Sequence, residues 1–305
     1  MRKKEILGGL GGALLIYLIL AFKNNTLLVS HAYLLSLVTF IYLAAAAGYL
    51  LHWIFKWEGM GLASSAIAWA GILLHTAGWC IRWWESHELG YGHIPLSNLY
   101  ESLIVFAWTV MAVYLFLEFK LRGKALGALV APMASLIMAY ASFGTRTEIV
   151  PLVPALQSNW LTAHVITCFL GYGAFAVAFG LGTIYLLRPK TVPPDSIWKY
   201  FPEKETLDIL MYKVILFGFF WLTVGIITGA VWAEQAWGAY WSWDPKETWS
   251  LITWFIYAAA IHARITRGWT GKRMAFLSVV GFGSVLFTYF GVNFWLAGLH
   301  SYASS

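Results

Sequence analysis

Long apolar runs recur along the whole chain, and they constrain its fold more than any other feature. They fall at about 6–22, 27–55, 62–83, 98–119, 125–143, 161–187, 207–231, 247–266 and 273–297. Crossing a bilayer as a helix takes roughly 20 residues, so the first run is short and the second is long enough to tilt or project. The expected fold is therefore all-α: a polytopic transmembrane helical bundle of about nine spans. Only 11% of the 305 residues are charged, against roughly 25% in a soluble domain. Mean hydropathy is +0.69. The run at 6–22 follows MRKKE and shows no small-residue cleavage motif before Lys23, so it reads as a retained helix.

Nine spans put the two termini on opposite sides, and Lys/Arg placement orients them. With the N-terminus cytoplasmic, fifteen basic residues fall at inner segments and four (Lys23, Arg82, Arg146 and Lys246) at outer ones. The net charge of +6 is thus a topology signal, and it gives no reason to expect a nucleic-acid partner. The C-terminus is expected on the outer, periplasmic side. The sequence shows no soluble domain, internal repeat, phosphate-binding loop or hydrolase elbow. Cys80 and Cys168 each lie inside an apolar run and form neither a CxxC pair nor the CxxCH haem-attachment signature.

Between two of these runs lies the segment 232–254, WAEQAWGAYWSWDPKETWSLITW, in which six of 23 residues are Trp. Trp232, Trp237, Trp241, Trp243, Trp249 and Trp254 exceed an ordinary interfacial belt of one or two aromatics per helix end. A shelf of this kind suits a large, flat, apolar ligand. Asp244, Pro245 and Glu247 have the N-cap, N1 and N3 spacing of a capping box. Such a helix start would also offer N–H groups and a positive dipole end to a ligand carboxylate. Asn98 and Glu101 repeat the N-cap and N3 spacing.

Ionisable residues inside spans mark functional sites, and three of the eight histidines stand out by position. His164 opens the sixth span and His300 follows the ninth, both at the outer face. His262 lies 15 residues beyond Glu247, about 22 Å along a helix at 1.5 Å per residue. Two imidazoles at one level beside an aromatic shelf are what six-coordinate haem needs. The alternative is that these are interfacial residues hydrogen-bonded to neighbouring loops. Di-haem quinone oxidoreductases of the cytochrome b type carry paired His on one helix at a spacing this chain lacks. A quinone-linked electron-transfer subunit is therefore the weaker reading, as is a structural scaffold with a thick Trp belt.

Trp237, Gly238, Trp241, Trp243, Asp244 and Glu247 resemble the WWD signature of haem-handling proteins in cytochrome c biogenesis. GHIPLSNLYES at 92–102, PALQSNWLTAHV at 154–165 and WDPKETWSLITW at 243–254 resemble the CcsA (ResC-like) family of the two-component cytochrome c synthase. The resemblance covers about residues 75–305. It implies two regions: 1–97, with the N-terminal helices and first outer loop, and 98–305, a six-helix haem-handling core. It also implies two outer haem-iron ligands, matching His164 and His300, and a transmembrane haem ligand, matching His262. Trp232, Trp237, Trp241, Trp243, Asp244 and Trp249 would border the haem, with Arg146 or Lys246 beside its propionates. Haem b would be bound non-covalently as substrate and joined to the CxxCH of an apocytochrome c. The chain would act as one subunit of a holocytochrome c synthase (haem lyase-type) complex, beside a separate CcsB (ResB-like) membrane subunit. A haem transporter or chaperone without attachment activity is the alternative. The basic N-terminus points to a bacterial plasma (inner) membrane, with a thylakoid membrane as the second choice.

Overall fold

The computed structural model describes residues 29–121, 123–296 and 298. The expected span at 6–22 and His300 lie outside them. The described chain contains helices and no strand. Its helices are α1 (His31–Phe55), α2 (Glu58–Glu88), α3 (Leu99–Leu121), α4 (Gly127–Gly144), α5 (Asn159–Leu187), α6 (Lys204–Trp237), α7 (Pro245–Arg267) and α8 (Lys272–Leu286). α8 continues through a π-turn at Phe287–Gly291 into Val292–Trp295. Short 3₁₀ segments lie at Pro154–Leu156 and Ile197–Tyr200.

Seven of the described helices are long and apolar enough to cross a membrane, and the chain is a multi-pass membrane protein. The count differs from the expected nine for two reasons. One expected span lies outside the described residues. The other, α7, is not among the seven, because Thr, Ser and Trp dilute its start while His262 and Arg264 interrupt its end.

α5 is the central helix. It pairs most extensively with α6 and also packs on α3 and α8, while α1 packs on α2 and α4. Tyr172, Phe175 and Ala178 of α5 are all buried in one apolar core with Phe106 of α3 and Tyr289 beyond α8. Ring burial of this kind contributes dispersion as well as area, since each aromatic side chain makes many close contacts.

The helix starts follow their sequence signals with one exception. Asp244 caps α7 with Pro245 in its first turn, and Glu247 closes a full capping box. At α3, Asn98 Oδ1 accepts from the Glu101 amide at 2.9 Å. The Glu101 carboxylate is not the second half of a capping box, however. It accepts from the Ser97 amide at 2.7 Å and from Arg82 Nε at 2.9 Å. Arg82 and Glu101 are both fully buried. The remaining guanidinium donors reach His31 Nε2 and the carbonyls of Thr147 and Glu148. A buried cation needs its partners at hand, so this pair takes precedence over the local cap. It ties α2, α3 and the loop after α4 together at the end of the bundle where α3 begins.

Candidate functional site at the tryptophan-rich end

A cavity of about 140 Å³ with an open mouth lies where α3, α5 and α7 begin and where α6 and α8 end. Its wall is mostly apolar, with Val165, Phe169, Tyr172, Trp232, Trp241 and Tyr289 among the lining residues. Polar groups enter from His164, Ser102, Lys246, Ser250 and Asn293.

His164 sits in the second turn of α5, which Ser158 opens by accepting from the Trp160 amide at 3.2 Å. Its Nδ1 donates to the Gly225 carbonyl of α6 at 2.7 Å. A carbonyl only accepts, so the proton is on Nδ1 and the lone pair is on Nε2. That second contact fixes ring orientation and tautomer in the way metal-ligating histidines require. Two glycines make room for it. A Cβ at Gly225 would stand 2.6 Å from Cys168 Sγ, and one at Gly229 would stand 2.5 Å from His164 Nδ1. His164 and Cys168, four apart on α5, thus seat against Gly225 and Gly229, four apart on α6. The His164 ring also stacks on Trp232 at 5.9 Å between centroids and 20° between planes.

The six tryptophans divide into different roles. Trp232 is only 1% exposed, lines the cavity and donates Nε1–H to the Ala155 carbonyl at 2.9 Å. Trp237 meets it edge-on at 4.8 Å. Trp241 lines the cavity and meets Trp243 edge-on at 5.7 Å. Trp243 is 69% exposed with φ 60°, a left-handed conformation that a bulky residue rarely adopts. Trp249 faces away from the cavity wall and packs on Phe287 at 4.1 Å. Trp254, on the next turns of α7, donates to Thr223.

α6 stops at Gly238, whose φ of 75° serves the left-handed helix end. The connection to α7 is held by Glu247, which accepts from the Ser242 amide at 2.7 Å and the Asp244 amide at 3.2 Å. Asp244 is buried and its Oδ1 accepts from the Lys246 amide at 2.9 Å. The helix start therefore does not present open N–H groups to a ligand carboxylate, as the sequence suggested. Its own two acidic residues already use them. Gly298 lies against Asp244, since a Cβ there would be 2.4 Å from Oδ2.

Lys246 lines the cavity and donates from Nζ to Asn293 Oδ1 at 2.9 Å. Burial lowers its pKa to about 8, partly opposed by Asp244. Arg146 is exposed and does not line the cavity. His262 lies far along α7, exposed on a face it shares with Ile252, Phe255 and Ala259. The structure thus places His164, Trp232 and Trp241 together at the cavity, with Trp237, Trp243 and Asp244 bordering it. It sets Trp249 behind the wall and His262 towards the other end of the bundle.

His75 and His52 are buried and already in contact with Tyr42 and with the Trp57 carbonyl. Among the described residues no group of three or more His, Cys, Asp or Glu could hold a bare metal ion. Asn293, Tyr289 and Ser102 were not singled out in the sequence. An Asn within an apolar run was the available signal. The π-turn at Phe287–Gly291 lies between α8 and Asn293, and turns of this kind often occur at functional sites. Tyr289 Oη lies 2.6 Å from Ser102 Oγ across the cavity wall.

The sequence matches the family described as Cytochrome C assembly protein over residues 96–300. A curated relative titled "Cytochrome c biogenesis protein CcsA" from Guillardia theta is 44% identical over 242 residues, taking in 72% of this chain and 79% of the relative. Another of the same title, from Gloeobacter violaceus, is 40% identical over 298 residues, with 80% and 86% covered. Among solved structures, "Cytochrome c Heme Lyase CcmF" superposes with a TM-score of 0.67 at 19% identity, covering 87% of this chain. At that identity the likeness is one of fold, and this chain spans 47% of that protein's length.

Proposed function

The chain belongs to the cytochrome c assembly protein family and serves cytochrome c biogenesis, and from that premise we propose that it is the haem-handling subunit of a cytochrome c synthase. It presents ferrous haem b at the tryptophan-rich cavity on the outer side of the membrane, where thioether bonds to an apocytochrome CxxCH are formed. The observation that carries this reading is His164: an imidazole at the cavity wall, stacked on Trp232 and held in orientation by its Nδ1 contact to the Gly225 carbonyl. The mostly apolar, aromatic lining of the open cavity suits the faces of such a substrate.

Haem supplies two vinyl groups. Each cysteine S–H adds across one C=C, forming a C–S and a C–H bond with no net change in redox state. The chain's own residues would position rather than activate. Trp232 and Trp241 would flank the ring, and His164 would hold the iron from one side. His300 would be the second axial ligand, which the incoming CxxCH histidine could replace, bringing both thiols to the vinyls. The packing of Gly298, two residues before His300 in sequence, against Asp244 supports this assignment. The match over 96–300 supports taking 98–305 as the haem-handling core.

The exposed ring of His262, on a face with Ile252, Phe255 and Ala259, supports a transmembrane haem site completed by a CcsB-like membrane subunit. The basic residues at 2–4 favour a cytoplasmic N-terminus, and a bacterial plasma membrane is the preferred setting. The test is to purify the chain with and without that subunit and record reduced and oxidised visible spectra, then add an apocytochrome. Low-spin haem that becomes covalently attached supports the synthase role. Haem that is bound but passed on without attachment supports a delivery role. Colourless protein under haem-replete conditions rules out haem handling.

A further inference from the structure

At the end of the bundle opposite the tryptophan-rich cavity, α5 stops while α6 and α8 start, and the three ends meet at Tyr185. Lys204 Nζ, from the first residue of α6, lies over the Tyr185 ring at 5.2 Å. Gly271, next to Lys272 of α8, approaches the same side chain: a Cβ there would stand 2.5 Å from Tyr185 Oη. Arg188 closes α5 three residues after Tyr185, and Lys190 follows it. Lys272, Arg188 and Lys190 all repel Lys204, and Glu205 is the acid that opposes them. Asp208 also acts on Tyr185, but its carboxylate is taken by Arg264 and the Gly271 amide. Among the described residues no carboxylate forms an ion pair with Lys190, Lys204 or Lys272. A bias of Lys and Arg towards one membrane face accounts for their side. It does not require four cations to converge on one tyrosine, where they repel one another. Exposed apolar side chains lead away from the same corner. Leu187 is 62% exposed, and Phe276, one turn after Lys272, is 61% exposed.

We propose that Lys190, Lys204 and Lys272 bind the phosphate of one anionic phospholipid, whose acyl chains lie along Leu187 and Phe276. Basic pockets between transmembrane helices suit such headgroups. Each lysine offers a compact charge with three rotatable donors, which fits a phosphodiester without demanding one fixed geometry. Arg188 gives Nη1 to the carbonyls of Trp198 and Phe201, so it adds positive field while holding the turn after α5. The apolar side chains beside the cations favour a phosphate that carries acyl chains over a free one. A bound headgroup offsets the repulsion among the ends of α5, α6 and α8. The assignment is independent of the haem reading, since it concerns the other end of the bundle.

The test is native mass spectrometry of the full chain in a zwitterionic detergent, titrated with dioleoylphosphatidylglycerol, dioleoylphosphatidylcholine or inorganic phosphate. Wild type should retain one phosphatidylglycerol with about tenfold to a hundredfold preference over phosphatidylcholine, the range for a few lysines at a membrane surface. The triple variant Lys190→Gln, Lys204→Gln, Lys272→Gln should lose that preference and bind both lipids as wild type binds phosphatidylcholine. Lys204→Arg should keep the preference. Lys120→Gln, which removes a cation at the same end of the bundle on α3, should leave it unchanged. Unaltered phosphatidylcholine binding and helix content are the check that each variant is folded. A triple variant with the wild-type preference overturns the site. So does a loss as large in Lys120→Gln as in the triple variant, because surface charge in general would then explain the binding. Displacement of bound phosphatidylglycerol by inorganic phosphate overturns the lipid assignment in favour of a soluble anion.

Discussion

Gly229 of α6 stands where any larger residue would meet the His164 ring of α5: a Cβ built on it lies 2.5 Å from His164 Nδ1. The ring has nowhere to retreat, because Nδ1 is bound to the Gly225 carbonyl and one face lies on Trp232. Gly229→Ala is therefore expected to shift His164 and break the contact that sets its tautomer. Overpacking of this kind costs roughly 1–3 kcal/mol, which leaves most of the helix bundle intact. The predicted result is unchanged helix content by circular dichroism with haem that is no longer low-spin. A wild-type spectrum in Gly229→Ala would show that the helix contact does not position the ligand.

The start of α7 gives a second prediction. Asp244 accepts from the Lys246 amide, and Glu247 braces residues 242–244 from the other direction. Asn caps nearly as well as Asp, whereas Ala costs about 0.5–2 kcal/mol. Asp244→Asn should thus retain haem binding and thermal stability within a few degrees, and Asp244→Ala should lose both. If the Asn variant failed as badly as the Ala variant, the carboxylate charge itself would be needed.

Removing Arg82 should be far more damaging than its distance from the cavity suggests. Its deletion removes the cation from a buried ion pair and leaves the Glu101 side chain without it, a loss that costs roughly 3–5 kcal/mol. Arg82→Leu should fail to accumulate in the membrane, and Arg82→Leu with Glu101→Leu should recover part of that loss. Membrane yields measured by immunoblot decide it, and equal yields for the single and double variants would rule out the pair as the cause.

What the sequence disclosed was local. The Asp-Pro-Lys-Glu start of α7, the Asn98 cap of α3 and the apolar runs from residue 29 onward are signals carried by neighbouring residues, and the described structure contains them. His164 could be named from its place at a helix start. Its anchor could not, since Gly225 is 61 residues away and reaches it only through the α5–α6 register. The same holds for Glu101, whose capping role gave way to Arg82 on another helix. Trp232 and Trp243 look alike in the sequence, yet one is buried and bonded to Ala155 and the other is exposed at φ 60°. Asn293 was legible only as a polar residue in an apolar run, and what lies across the cavity from it depended on a π-turn that has no sequence marker.

The most direct test of the account is the visible spectrum of His164→Gly, purified with its membrane partner, before and after adding imidazole. The small residue opens a space that free imidazole can enter, so the missing ligand can be replaced without restoring the side chain. The account predicts loss of low-spin haem in the variant and its return with imidazole. A variant that keeps the wild-type low-spin spectrum without imidazole would contradict it, because iron would then be held by residues other than His164.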